Sequence, residues 1–252
     1  MNKLRVINWN IARHPPNSWQ AISLTEEIAS LAPDLVCLTE AWSNSLAKLS
    51  GYAISAPGLA WSEKAAEERK VMLWSRSRWM NVEIVDDLEA VGCCVTGITQ
   101  FEGAPIRIVG VCIPYAFANP FGQRPKAKMW ELHELFLHAL KPRIEKWKSE
   151  GSTIVLGDFN RRMPRSRGAI RPYKLLESTF ADLNVVTSGV LAEVNDQTVD
   201  HIAVSRDISA GDITGISSGS PDGRQRSDHF GVLADLSFTS SNQSKNPNPV
   251  GS

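Results

Sequence analysis

The chain has 252 residues with 27 basic and 27 acidic side chains, so net charge neither supports nor excludes a nucleic-acid partner. That length fits one large domain or two small ones, and a chain this long can bury a core that needs no disulfide staples. Apolar and charged fractions are ordinary for a soluble globular protein, and no apolar run approaches the length of a membrane span.

Residues 4–10 read as a first strand. Residues 19–31 predict a helix, with Trp19, Ile22, Ile28 and Leu31 among its apolar positions and Pro33 as its stop. Residues 34–40 predict a buried strand. Further strands are expected near 52–56, 70–75, 80–85, 92–101 and 105–113, with Gly103-Ala104-Pro105 as a hairpin turn between the last two. Residues 57–69 read as a surface loop or a short helix. Residues 114–125 carry three prolines and read as a loop. Its aromatics Tyr115, Phe117 and Phe121 are either core anchors or a wall facing a ligand.

Residues 126–147 predict the clearest helix. Leu132, Leu135, Phe136, Ala139, Leu140, Ile144 and Trp147 form its apolar face, and Pro142 should kink or break it. His133 and His138 share no face of this helix and read as structural or solvent-exposed. Strands follow near 152–157, 198–204, 212–217 and 230–237. Many strands with few long helices argue for two sheets packed face to face, with helices outside. Residues 1–238 are therefore expected to form one domain, and the Ser-, Asn- and Pro-rich stretch 239–252 a disordered tail.

Cys37 and Cys112 sit in apolar runs and read as small core residues; Cys93 and Cys94 are adjacent, so on a strand they face opposite ways. No CxxC spacing is present, which argues against a zinc site. The N-terminus offers no secretory segment, so a reducing, cytoplasmic setting is expected. The sequence offers no clear oligomerisation surface, and the oligomeric state is left open.

Five polar clusters stand against the strand patterns: Asn8-Trp9-Asn10, Thr39-Glu40, Gly157-Asp158-Phe159-Asn160, Asp200-His201 and Ser227-Asp228-His229. In a sheet with antiparallel neighbours the end of one strand lies beside the start of the next, so all five can gather at one rim. Such a rim suits a divalent metal ion and a phosphate ester. Glu40, directly after a buried strand, is costly unless paired; a hard cation or an arginine such as Arg13 would pair it. Asp158 and Asn160, two residues apart, project on one side of an extended segment. They can orient a water, or they can simply form an Asx-type turn. Asp228 beside His229 favours an imidazolium, and Asp200 could orient that ring. A basic run, Arg161, Arg162, Arg165, Arg167, Arg171 and Lys174, begins one residue after Asn160. With Arg124, Lys126, Lys128, Arg224 and Arg226 it reads either as solvated loop or as a polyanion track.

Taken in this order, the five clusters resemble the endonuclease/exonuclease/phosphatase superfamily over roughly residues 4–237. The resemblance implies a DNase I-like α/β (α+β) fold: a four-layer αββα sandwich with two packed mixed sheets and flanking helices. It implies Mg²⁺ or Mn²⁺ held with help from Asn10 and Glu40, with Asp228 near the metal or inside the polar network. It implies that Asp158 positions or activates water, that Asn160 assists, and that Asp200 orients His229 onto the scissile phosphate. His201 is a weaker candidate. One departure is Cys112, where the family often has His or Tyr; Tyr115 or Arg124 could supply that contact from the loop.

The leading expectation is a metal-dependent phosphodiesterase, a nuclease acting on DNA or RNA, with Arg161, Arg162, Arg165, Arg124 and Tyr115 on the substrate. Alternatives are a phosphatase or phosphodiesterase of a small phosphorylated molecule or lipid headgroup, and a non-catalytic nucleic-acid-binding module on the same scaffold.

Overall fold

The computed structural model describes residues 3–57, 66–89, 92–119 and 127–239. Arg124, Phe121, Lys126, the stretch 58–65 and nearly all of the expected tail lie outside them. The first sheet has the order β13(Ile208–Ile216), β14(Gly231–Phe238), β1(Leu4–Asn10), β2(Leu35–Trp42), β4(Glu68–Ser75) and β3(Tyr52–Ala56). The second has β5(Met80–Ile84), β6(Cys93–Phe101), β7(Ala104–Cys112), β8(Thr153–Asp158), β12(Asp200–Val204) and β9(Asn184–Val185). A short hairpin, β10(Val190–Leu191) and β11(Asp196–Gln197), stands apart.

Strand parity sorts the core into three layers. Leu4, Val6, Leu35, Cys37, Val71 and Leu73 of the first sheet meet Ile106, Ile108, Ile154, Leu156, Ile202 and Val204 of the second. The opposite parity of β1 and β2, with Ile7, Trp9, Val36 and Leu38, packs on α1(Trp19–Ser30) through Leu24 and Ile28. Val109, Val111, Val155 and Ala203 pack under α3(Glu131–Glu150) and α4(Ile170–Phe180). Central strands are thus covered on both faces, which is why they read as continuous apolar runs. The result is the expected sandwich of two mixed sheets with helices outside.

Two parallel pairs give the fold its working rim. β1 pairs parallel with β2, and β7 with β8. Helices α1 and α3 make the two crossovers. Both pairs bring their carboxyl ends to one rim, and the antiparallel neighbours β4, β12 and β14 bring their amino ends there.

Three expectations need correction. The hairpin turn sits at Glu102-Gly103, with Phe101 facing Ala104, one residue earlier than the sequence suggests. Both turn residues have positive φ, 50° and 81°, the geometry whose twist matches a two-residue hairpin. Pro142 does not break α3, which runs unbroken to Glu150. The carbonyl that proline leaves unbonded, four residues back at His138, lies on the exposed side of the helix, where solvent can satisfy it. The basic stretch after Asn160 is not all loop: Ile170–Phe180 is helical, with Tyr173, Leu176 and Phe180 buried at helical spacing.

Candidate active site

The parity that builds the inter-sheet core also builds the cleft. Val6, Asn8 and Asn10 alternate inward along β1, as do Leu156 and Asp158 along β8 and Asp200 and Ile202 along β12. At mid-sandwich Asn8 donates from Nδ2 to the carbonyls of Gly157 and His201, both over 3.1 Å. That carboxamide joins the two sheets directly beneath the rim. Gly157 has φ 140°, and a Cβ there would lie 1.9 Å from the Val111 carbonyl oxygen. Only glycine fits this close approach of β8 to β7, which sets the height at which Asp158 leaves the sheet.

At the rim, Asn10, Glu40, Lys70, Cys112, Tyr115, Asp158, Asn160, Asp228 and His229 line one cleft of about 130 Å³. Asp158 faces Asp200 in the antiparallel register and Cys112 in the parallel one. Asp158 Oδ1 accepts from the backbone N–H of Asn160 at 2.8 Å, and Oδ2 accepts from Asn160 Nδ2 at 3.0 Å and Asn10 Nδ2 at 3.2 Å. Asn160 adopts φ 53° and also donates to the Ile113 carbonyl at 2.8 Å. The Asx-type turn is therefore present, and it delivers both side chains to the cleft.

The fifth cluster is tied to β1. Trp9 Nε1 donates to the His229 carbonyl at 3.0 Å, and Ser227 Oγ donates to the Asn10 carbonyl at 2.7 Å. His229 then reaches across to the second sheet, where Nδ1 donates to Asp200 Oδ2 at 2.6 Å. Burial works to lower the His229 pKa, but Asp200, Asp158 and Asp228 outweigh it and raise it to about 10. Asp158 moves the other way for an acid: burial, then the nearby Asp200 charge, raise it to about 7. The two groups that face the cleft are thus a carboxyl that ionises near neutrality and an imidazole that stays charged.

Glu40 sits at φ 52°. Its Oε1 accepts from Arg13 Nη2 at 2.8 Å and Lys70 Nζ at 2.5 Å. Burial would raise its pKa, yet Lys70 and Arg13 win and lower it. Oε2 carries no hydrogen bond among the described residues.

The donor set fits a hard divalent cation. Glu40, Asp228 and Asn10 line the cleft, the Asn10 carboxamide oxygen accepting from the Ala12 N–H at 2.9 Å with a second lone pair to spare, and oxygen donors suit Mg²⁺ or Mn²⁺. Asp200 Oδ1 is buried without a hydrogen-bond partner among the described residues, a cost that a nearby cation offsets. Asp158, Asp200 and His229 also form a group with ligand atoms all within 4.8 Å that could hold a metal ion. In that group Asp200 Oδ2 and His229 Nδ1 already engage each other.

Several expected residues fall elsewhere. His201, on the opposite parity to Asp200, is buried away from the cleft between the Arg161 carbonyl and the Thr187 hydroxyl, each 2.9 Å away. Arg161 is 6% exposed, lies 4.5 Å from the Trp130 ring centroid and donates to the Ala169 carbonyl, so it is packing rather than a substrate contact. Arg162 does approach: with Asp200, Asp228, His229 and Phe230 it lines a second cleft of about 140 Å³, paired there with Asp196 at 2.8 Å. Arg165 is exposed and bonds the Gly168 carbonyl. Tyr115, half exposed, lines the first cleft, and Phe117 is 72% exposed, so neither anchors the core. Cys112 lines the cleft as a neutral thiol, its pKa pushed up to about 12 chiefly by burial. Lys70 was missed by sequence reasoning; its only signal was its place in a strand pairing antiparallel with the one that carries Glu40.

A rim of carboxylates, carboxamides and one charged imidazole, set on two packed mixed sheets, defines a hydrolase of phosphoric esters. The chain belongs to the Endonuclease/Exonuclease/phosphatase family, whose model matches residues 7–229. Among solved structures, zebrafish (D. rerio) TDP2 complexed with single-strand DNA product is similar at 15% identity and TM-score 0.66, covering 94% of this chain and 100% of that one. The human nocturnin catalytic domain with bound sulfate has 19% identity and TM-score 0.67, covering 94% of each chain. A Bacteroides thetaiotaomicron mannosyl-6-phosphatase has 13% identity and TM-score 0.66, covering 93% and 100%. No curated relative matches the sequence. Among the described residues, no helix is long and apolar enough to cross a membrane.

Proposed function

We propose that the protein is a divalent-metal-dependent phosphodiesterase acting on DNA or RNA. The observation that carries this reading is the convergence of Asn10, Glu40, Asp158, Asn160, Asp228 and His229 on one cleft, from segments spread over nearly the whole described chain. Bound Mg²⁺ or Mn²⁺ would polarise a phosphoryl oxygen and stabilise the leaving oxyanion. Asn10, Glu40 and Asp228 are the residues that would hold it.

Asp158, with a pKa near 7, is suited to accept a proton from an attacking water at neutral pH. Asn160 holds Asp158 by two hydrogen bonds and keeps its orientation. His229 Nδ1 is occupied by Asp200, so its other ring nitrogen presents a charged N–H to a phosphoryl oxygen as negative charge builds. The second cleft beyond His229, with Arg162 and Phe230, gives room for a group on the far side of the scissile phosphorus, as a diester requires. That the similar TDP2 structure carries single-strand DNA supports the same choice.

A small phosphorylated molecule is the second reading. It is favoured by the similarity to a mannosyl-6-phosphatase and by the internal pairing of Arg161, Arg162 and Arg226. A panel of single- and double-stranded DNA, RNA, sugar phosphates and inositol phosphates under Mg²⁺ or Mn²⁺ separates the two. Asp158→Ala and His229→Ala should each lower turnover by about 10²–10⁴ while circular dichroism stays native. Full activity in both variants would reject the assignment.

A further inference from the structure

We propose that Lys70 is a phosphate-binding residue of this cleft, parked on Glu40 and passed to a phosphoryl oxygen when a divalent cation takes the glutamate. The inference rests on the phosphoester reading and adds a residue to its machinery. The register of β2 and β4, Thr39 with Val71 and Ala41 with Arg69, sets Lys70 directly across from Glu40. The Lys70 side chain is 11% exposed, and it lines the same cleft as Asp158, Asn160 and His229. Lysine is almost never buried this far unless paired.

Fold stability alone does not call for two cations on one oxygen. Arg13 at 2.8 Å already neutralises Glu40, and Lys70 bonds the same Oε1. The second cation instead raises the positive potential of a wall that faces Asp158 and His229. Both cations take Oε1 and leave Oε2 for a metal. A divalent ion on Glu40 then repels the ammonium and weakens its hold on the carboxylate. The cleft already holds the carboxylates of Asp158 and Asp228, and a bound phosphate adds further negative charge among them, so a three-donor ammonium on a flexible stem can turn toward it. Lys70 would therefore couple the two ligands: it opposes the metal alone and favours metal and phosphate together.

The test uses the full chain with Mn²⁺ and inorganic phosphate as probes, so it needs no knowledge of the natural substrate. Manganese affinity is read by electron paramagnetic resonance and phosphate affinity by calorimetry at saturating Mn²⁺. K70M should bind Mn²⁺ alone about tenfold more tightly, and phosphate about tenfold or more weakly, while K70R restores phosphate affinity to within a few fold. Opposite signs for the two ligands are a signature that a structural lysine would not give. Should K70M fold poorly, K70Q carries the same two expectations. Unchanged phosphate affinity in the uncharged variants overturns the inference, as does weaker Mn²⁺ binding with no change toward phosphate, which would make Lys70 a positioning residue for Glu40. Wild-type protein that shows the coupling but cleaves no phosphoester would sink the enzyme reading and leave this one standing.

Discussion

Replacing Asp200 by Asn removes the largest attraction that keeps His229 charged. The two side chains meet at 2.6 Å, with Asp200 1% exposed. Against burial, Asp200, Asp158 and Asp228 lift the imidazole from 6.5 to about 10. At ~1.36 kcal/mol per unit, that lift is worth about 5 kcal/mol. If Asp200 supplies even half of it, Asp200→Asn lowers the His229 pKa by about 2 units. The same change acts on Asp158, whose pKa is raised first by burial and next by Asp200. The proposed mechanism requires Asp158 ionised, which fails as pH falls, and His229 protonated, which fails as pH rises. Both limbs therefore move toward acid in the variant, and the basic limb enters the range where wild-type activity is flat. Hydrolysis of bis(p-nitrophenyl) phosphate with Mn²⁺ from mildly acidic to strongly basic pH gives the profile. Nitrogen-15 shifts of the His229 ring in metal-free protein give the pKa directly. A basic limb and a ring pKa left at their wild-type positions would show that Asp200 does not set the imidazole's charge.

The basic residues after Asn160 should separate in two assays. Arg161→Ala should lower stability by about 2–3 kcal/mol in urea, because a buried cation–π contact and a charged hydrogen bond go together, with no selective effect on ligand binding. Arg162→Ala should change stability by no more than about 1 kcal/mol, yet weaken oligonucleotide binding and flatten its salt dependence. Acid stability follows from two buried rings: burial lowers both His201 and His133 from 6.5 to about 4. A folded pKa below the unfolded one favours the neutral ring, so this stability is complete above about 6.5 and is lost as pH falls toward about 4, by up to ~3 kcal/mol per ring. His201→Gln should flatten the urea midpoint between pH 7 and pH 4 relative to wild type, and an unchanged slope would place the acid sensitivity elsewhere.

Strand parity and the order of the polar clusters made the sandwich and most of the cleft readable from the chain. Asn10, Asp158 and Asp200 each sit at a strand end, and His229 lies two residues before β14, where a period-two pattern runs out of core and meets solvent. What stayed hidden depended on three-dimensional company. Asn8 looks like a cleft residue beside Asn10, but one step down the same face it lies inside the sandwich, bonded to Gly157 and His201. His201 follows Asp200, and a strand turns consecutive side chains to opposite faces, so the ring went under the helices. Arg161 and Ile170–Phe180 were misread because charge is visible in sequence and a tertiary partner such as Trp130 is not. Lys70 carried no motif, since a cross-strand pair thirty residues apart exists only in the register.

The substrate question turns on which cations remain available once the fold has used its own. Arg226 is 3% exposed, paired with Glu27 and bonded to the Ser217 carbonyl. Arg224 stacks 3.9 Å over Trp19, and Arg171 pairs with Glu134. Among the described residues the basic run thus splits in space: Arg161 and Arg226 are internal clamps, Arg162 lines the second cleft with its partner Asp196 half exposed, and Arg165, Arg167 and Arg171 are exposed. Among the described residues the cations that line the two clefts are Lys70 and Arg162; if these alone meet the substrate, few counterions are displaced and a nucleic acid is gripped near the scissile phosphate rather than along its length. A nuclease of this kind should show a shallow salt slope and tolerate short oligonucleotides. A steep slope that persists in Arg162→Ala would require a binding track well away from His229.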